Sequence, residues 1–209
     1  MSEITRINRA ARWLMELASE LESIYNSSVG EKYKIMLLMT YIDILSKIWH
    51  FHNNNISKKQ GEYFKVWMNE FMFSNLNKSY NKKEIGNIDS NVFYQVRNSL
   101  IHFSSIPNIS NVGIFISSDS KSEFCNRYPN ETAGREIIVL SSKILLPIFL
   151  KASISTIEKM AEQDDKYKNT MLWIAGRLEK ESGFIINPDF RDDILNFTNK
   201  HSNKTVEEK

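Results

Sequence analysis

Between Gly30 and Asn53 the chain runs without a glycine or proline and is apolar on nearly every side. Ile35, Met36, Leu37, Leu38, Met39, Ile42, Ile44, Leu45, Ile48 and Trp49 leave one polar strip, Thr40, Asp43, Lys47 and His50, at spacings of three and four. A helix that is apolar all round must be covered on several sides, which places it at the centre of a bundle. The rest of the chain is consistent with that constraint. Seven glycines and four prolines in 209 residues leave room for long helices and argue against a many-turned β fold.

The flanking segments supply the covering helices. In residues 3–25, Trp13, Leu14, Leu17, Leu21 and Ile24 recur at three and four, marking one buried face, with Arg6, Arg9 and Arg12 on another. Phe64, Trp67, Met68, Phe71 and Met72 mark a third helix over about 58–75, followed by a polar linker over 77–87. Asp89 or Ser90 caps a fourth helix through Phe103, with Val92, Phe93, Val96, Leu100 and Ile101 as its buried stripe. The period then changes. Residues 112–116 and 136–140 read as two short strands joined in a hairpin. Helices over 143–163, with Pro147 tolerated in its first turns, and 165–180 follow. A last short helix opens at Asn187-Pro188-Asp189, and a polar, flexible tail covers 199–209. The expected fold is all-α: a single domain over 1–198, a bundle of five to seven helices with its core near 30–160, and a small β-hairpin insertion near 112–140.

Composition narrows the function classes. A formal charge of +2 does not mark a nucleic-acid binder, although a local patch needs no net charge. The one cysteine, Cys125, cannot form an internal disulfide and belongs to no CxxC or Cys/His cluster, which points to a reducing compartment and to no zinc site. The N-terminal stretch is interrupted by charge, and the longest apolar run, 144–150, is far short of the ~20 residues of a membrane span. The expectation is a cytoplasmic protein with no membrane partner, no cofactor and no metal.

The segment richest in chemistry is Tyr94-Gln95-Val96-Arg97-Asn98-Ser99-Leu100-Ile101-His102-Phe103. Arg97 and His102, five residues apart, lie roughly 140° apart around a helix, so they do not stack on one face. Asn98 and His102, four apart, do share a face, so the Asn98 amide could orient the imidazole. Arg97 would reach round, or meet His102 of a second copy. Cleaving a ribose-phosphate backbone needs a group that takes the 2′-hydroxyl proton and a cation that holds the phosphate. Histidine titrates near pH 6.5, and arginine offers phosphate a rigid fork of donors and keeps its charge. This chemistry needs no metal.

Arg97-Asn98-Ser99-Leu100-Ile101-His102 resembles the signature of the HEPN family of helical-bundle ribonucleases: Arg, a polar residue, a short spacer, then His, late in a helix. Tyr41-Ile42-Asp43-Ile44-Leu45-Ser46 and Phe64-Lys65-Val66-Trp67 look like the earlier helices of plasmid- and defence-associated members. The resemblance covers about residues 30–160. It implies a homodimer whose two motif helices face each other across a composite cleft. It implies endoribonuclease activity leaving a cyclic phosphate, often in toxin–antitoxin or anti-phage systems, with RNA, transfer RNA among the candidates, as substrate and an antitoxin or activator protein as partner. In members silenced by a nucleotidyltransferase antitoxin, a modified Tyr lies two residues after the His; here that position is Ser104, which speaks against such regulation.

Arg97, Asn98 and His102 are thus the expected catalytic residues, with Asp43 and Tyr94 in support. Asp43, in its apolar setting, either supports the site or pairs with Lys47 on the helix's polar strip. Arg6, Arg9 and Arg12, with Lys58, Lys59, Lys82 and Lys83, either track an RNA backbone or form a solvated face. His50 and His52 fall on opposite sides of their helix, which argues against a shared metal. The rival functional reading is a non-catalytic helical module that binds RNA, nucleotide or a protein, and a further one is a structural dimer.

Overall fold

The computed structural model describes residues 1–54, 59–75, 89–103, 108–109, 112–117, 127–130 and 135–181, excepting the side chains of 60, 101–103, 108–109, 112–115, 127–130, 135–138 and 181. Helix α1 spans Glu3–Asn26, α2 Glu31–His52 and α3 Gln60–Trp67. Helix α3 runs on through a π-helical turn, Met68–Met72. Helix α4 spans Ser90–Phe103, α5 Ser142–Ala161 and α6 Asp164–Glu181. Four short strands lie between α4 and α5: β1 Asn108–Ile109, β2 Val112–Ser117, β3 Arg127–Asn130 and β4 Arg135–Ser141. The protein is a helical bundle with a small sheet, and no described helix is long and apolar enough to cross a membrane.

The helix ends follow from local chemistry. Gly30 precedes α2 in extended conformation, and its carbonyl accepts from the backbone N–H of Tyr33. Helix α2 stops at Asn53, whose side-chain amide donates to the Trp49 carbonyl at 2.9 Å, and at Asn54, which takes a left-handed φ of 59°. Asparagine tolerates that conformation better than other non-glycine residues. Asp89 caps α4: its Oδ1 accepts from the backbone N–H of Asn91 and Val92 at 2.9 and 3.0 Å. In α5, Pro147 lacks the N–H that would have bonded the Lys143 carbonyl four residues earlier. The Tyr25 hydroxyl donates to that same carbonyl at 3.4 Å, so the C-terminal part of α1 supplies a donor where the proline removes one.

As the all-round apolarity of α2 requires, this helix packs against α3, α4 and α5. Its Ile35, Leu38, Met39, Ile42, Leu45 and Ile48 are buried, and so are Phe64, Trp67, Met68, Phe71 and Met72 of α3, Phe93, Val96 and Leu100 of α4, and Leu145, Phe149 and Ala152 of α5. Burying each of the large side chains contributes about 1.5–3 kcal/mol. Trp67 resolves its one polar atom by donating from Nε1 to the Thr156 hydroxyl at 3.0 Å.

The two strands expected near 112–140 form, but not as a hairpin. β2 and β4 run parallel, with Val112 opposite Glu136 and Ser117 opposite Ser141. The sheet order is β1-β2-β4-β3, and the antiparallel pairings are β1 with β2 and β3 with β4. A parallel pair needs a crossover of a dozen or more residues, and the stretch between β2 and β4 has that length. Two short apolar runs specify strands without specifying their relative direction.

The described residues divide into two compact units, one within 13–167 and a second made of 1–12 with 168–181. In the smaller one the Arg6 guanidinium donates through Nε and Nη2 to both oxygens of Glu179 at 2.9 Å, and Lys168 pairs with Glu3 at 2.5 Å. The larger unit contains α2 to α5 and the segment of interest. The expected linker over 77–87, the helix at 187–189 and the tail, together with Lys58, Lys82, Lys83, Ser104 and Cys125, lie outside the described residues.

Candidate functional site

Asp43 lies midway along α2, surrounded by its apolar residues, and is 6% exposed. A carboxylate placed there is costly unless a cation and hydrogen-bond donors meet it. The cation is Arg97 of α4, itself 8% exposed. Its Nε donates to Asp43 Oδ2 at 2.6 Å, and its Nη2 makes a second, shorter contact with the same oxygen. Of the two partners open to Asp43, Lys47 is exposed, and the carboxylate turns inward to α4 instead. Asp43 Oδ1 is buried and accepts no hydrogen bond among the described residues.

The third edge of the guanidinium is also used. Arg97 Nη1 donates to Oδ1 of Asn98 at 2.9 Å, so the Asn98 amide orients the arginine. The guanidinium carbon lies 5.9 Å from the centre of the Tyr94 ring. Asp43, Tyr94, Arg97 and Asn98 are therefore one constellation, as three of the four sit within two turns of α4 and the fourth reaches them from α2. Tyr94, Asn98 and His102 recur every four residues along α4, and the His102 backbone continues the stripe that Tyr94 and Asn98 begin. The His102 side chain lies outside what the structure describes.

Two residues near Tyr94 carried no weight in the sequence. Lys65 of α3 holds its Nζ 5.4 Å from the centre of the Tyr94 ring. Gly61, one turn earlier, lets that ring in: a Cβ at position 61 would fall 2.6 Å from Tyr94 Cζ. A glycine inside a helix costs up to about 1 kcal/mol against alanine, so in a chain with few glycines Gly61 was the readable signal of a close approach.

The remaining candidates separate. His50 and His52 are both buried; His50 stacks on Tyr63 at 4.5 Å between ring centres, and His52 on Trp49 at 5.9 Å. Burial, with the Lys166 charge adding to it, holds His52 below the ordinary histidine pKa. Of the basic row on α1, Arg6 is committed to Glu179, Arg9 is half-buried and Arg12 is exposed. Lys59 is exposed.

In comparison with known proteins, the chain matches no family model, no curated protein and no solved structure.

Proposed function

We propose that this chain is a metal-independent endoribonuclease, acting as a homodimer through a composite site of Arg97 from one copy and His102 from the other, in the role of a toxin or anti-phage effector. The observation that carries the reading is the immobilisation of Arg97. Its fork is fixed by Asp43 and by Asn98 on the helix that also bears His102. A cation intended to meet charge developing on phosphorus acts best when it is held in place beforehand. His102 acts as general base or acid: the 2′-hydroxyl gives up its proton, the 2′-oxygen attacks phosphorus, the bond to the 5′-oxygen breaks, that oxygen takes up a proton from the imidazolium or from water to leave as a 5′-hydroxyl, and a 2′,3′-cyclic phosphate remains. Asp43 and Asn98 are positioning residues for Arg97. The resemblance of residues 97–102 to the HEPN signature supports the same roles.

A second reading is favoured by the same contact. Arg97 is only 8% exposed and already matched by a carboxylate, as it would be in a non-catalytic module whose ion pair simply joins α2 to α4. The two readings part in one assay. Purified protein is incubated with total and transfer RNA in EDTA, beside Arg97→Ala and His102→Ala. Cleavage that survives the chelator and is lost in both variants supports the ribonuclease; intact RNA throughout favours the module.

A further inference from the structure

The Arg97–Asp43 pair has no net charge, so it cannot by itself draw an anionic strand to this face. Lys65 of α3 brings a further positive charge to this face. Its ammonium stands over the same Tyr94 ring that Arg97 faces, 5.4 Å from the ring centre. Among the described residues Lys65 makes no ion pair with a carboxylate, Glu62 one turn earlier included. Lys65 and Tyr94 are half-buried, more exposed than Arg97. Tyr94 rests against Gly61, one turn before Lys65 on α3, where an added Cβ would fall 2.6 Å from its Cζ and force the ring to shift.

We propose that Lys65 is the phosphate-binding residue of this face, its ammonium held over Tyr94 so as to contact an RNA backbone phosphate beside the Arg97–Asp43 pair. The proposal rests on the reading of this face as an RNA site. It assigns affinity for the strand to Lys65 and leaves to Arg97 the charge that develops on phosphorus, and it explains how a neutralised arginine can sit in a site for a polyanion. A lysine is suited to the task as a point charge that grips phosphate without demanding a fixed geometry.

The test is the salt dependence of binding. A fluorescein-labelled single-stranded 2′-O-methyl RNA, which lacks the attacking hydroxyl, is titrated with the wild-type protein, Lys65→Gln and Lys65→Arg in EDTA over a salt series, read by anisotropy. One lost phosphate contact on a single strand lowers the slope of log affinity against log salt by about 0.7. Lys65→Gln should therefore bind on the order of tenfold more weakly near 50 mM salt and converge on wild type toward 1 M, with Lys65→Arg restoring the slope. An unchanged slope in Lys65→Gln overturns the proposal, as does a wild-type protein that does not bind the strand. Cleavage of unmodified RNA, run in parallel, separates the two ideas. Cleavage with an unchanged slope removes Lys65 alone. A reduced slope without wild-type cleavage removes the ribonuclease and keeps Lys65 as a binding residue.

Discussion

Replacing Asp43 with alanine strands a guanidinium inside the protein. Both side chains of the pair are 9% exposed, so solvent screens them little. Two unit charges about 4 Å apart attract by about 4 kcal/mol at an effective dielectric constant of about 20. Removing one partner of such a buried pair costs about 3–5 kcal/mol, because the desolvation of the survivor is no longer offset. For a chain of this size that is a fall in Tm of roughly 6–20 °C. Arg97→Leu should cost a similar amount. Removing both charges together, as Asp43→Ala with Arg97→Leu, should recover most of the loss, because neither buried charge is then left without its partner. Urea unfolding followed by circular dichroism gives the four corners of the cycle, with an expected coupling of about 4 kcal/mol or more. Single-variant costs below about 1 kcal/mol, or a double variant equal to the sum of the singles, would refute the inference that this pair is buried and mutually dependent.

Gly61→Ala should destabilise by about 1–3 kcal/mol, since its Cβ would meet Tyr94 at 2.6 Å. In a Tyr94→Ala background the same change should be neutral or stabilising, and thermal melts of the four proteins decide it. Thr156→Val leaves the buried Trp67 Nε1 without its acceptor and should cost about 1–3 kcal/mol by urea unfolding; no loss would mean the indole finds another acceptor. His52 has a folded pKa below its unfolded value of about 6.5, so the unfolded chain takes up the proton first as pH falls. Stability should therefore decline from pH 6.5 down to the folded pKa, and His52→Gln should flatten that limb. A wild-type decline undiminished in the variant would assign it to other groups.

Much of the helical framework is legible because helical periodicity and its breakers are local. The bounds at Gly30 and Asn53, the Asp89 cap and the apolar stripes place α1 to α6 close to their observed ends. What depends on partners distant in sequence is not. The parallel pairing of β2 and β4 cannot be read from two apolar runs. Nor can the hydroxyl of Tyr25 be matched in advance to a carbonyl that Pro147 leaves open. The site is intermediate. A carboxylate within so apolar a helix announces that Asp43 needs a cation, but Lys47, one turn away, is the nearer candidate in sequence. Only the packing of α2 on α4 selects Arg97, 54 residues on. Lys65 went unread because cation-to-ring contacts between two helices leave no spacing to find, and Gly61 was the sole trace.

The most direct test of the composite site is complementation. Arg97→Ala and His102→Ala proteins are mixed in equal amounts, exchanged by unfolding and refolding together, and assayed for RNA cleavage in EDTA. Each variant alone should be inactive. Random assortment of a symmetric dimer makes half of the molecules mixed, each with one intact site of two, so the mixture should reach about a quarter of wild-type activity. A wild-type protein that leaves RNA whole, or a mixture as inactive as its components, would contradict the account.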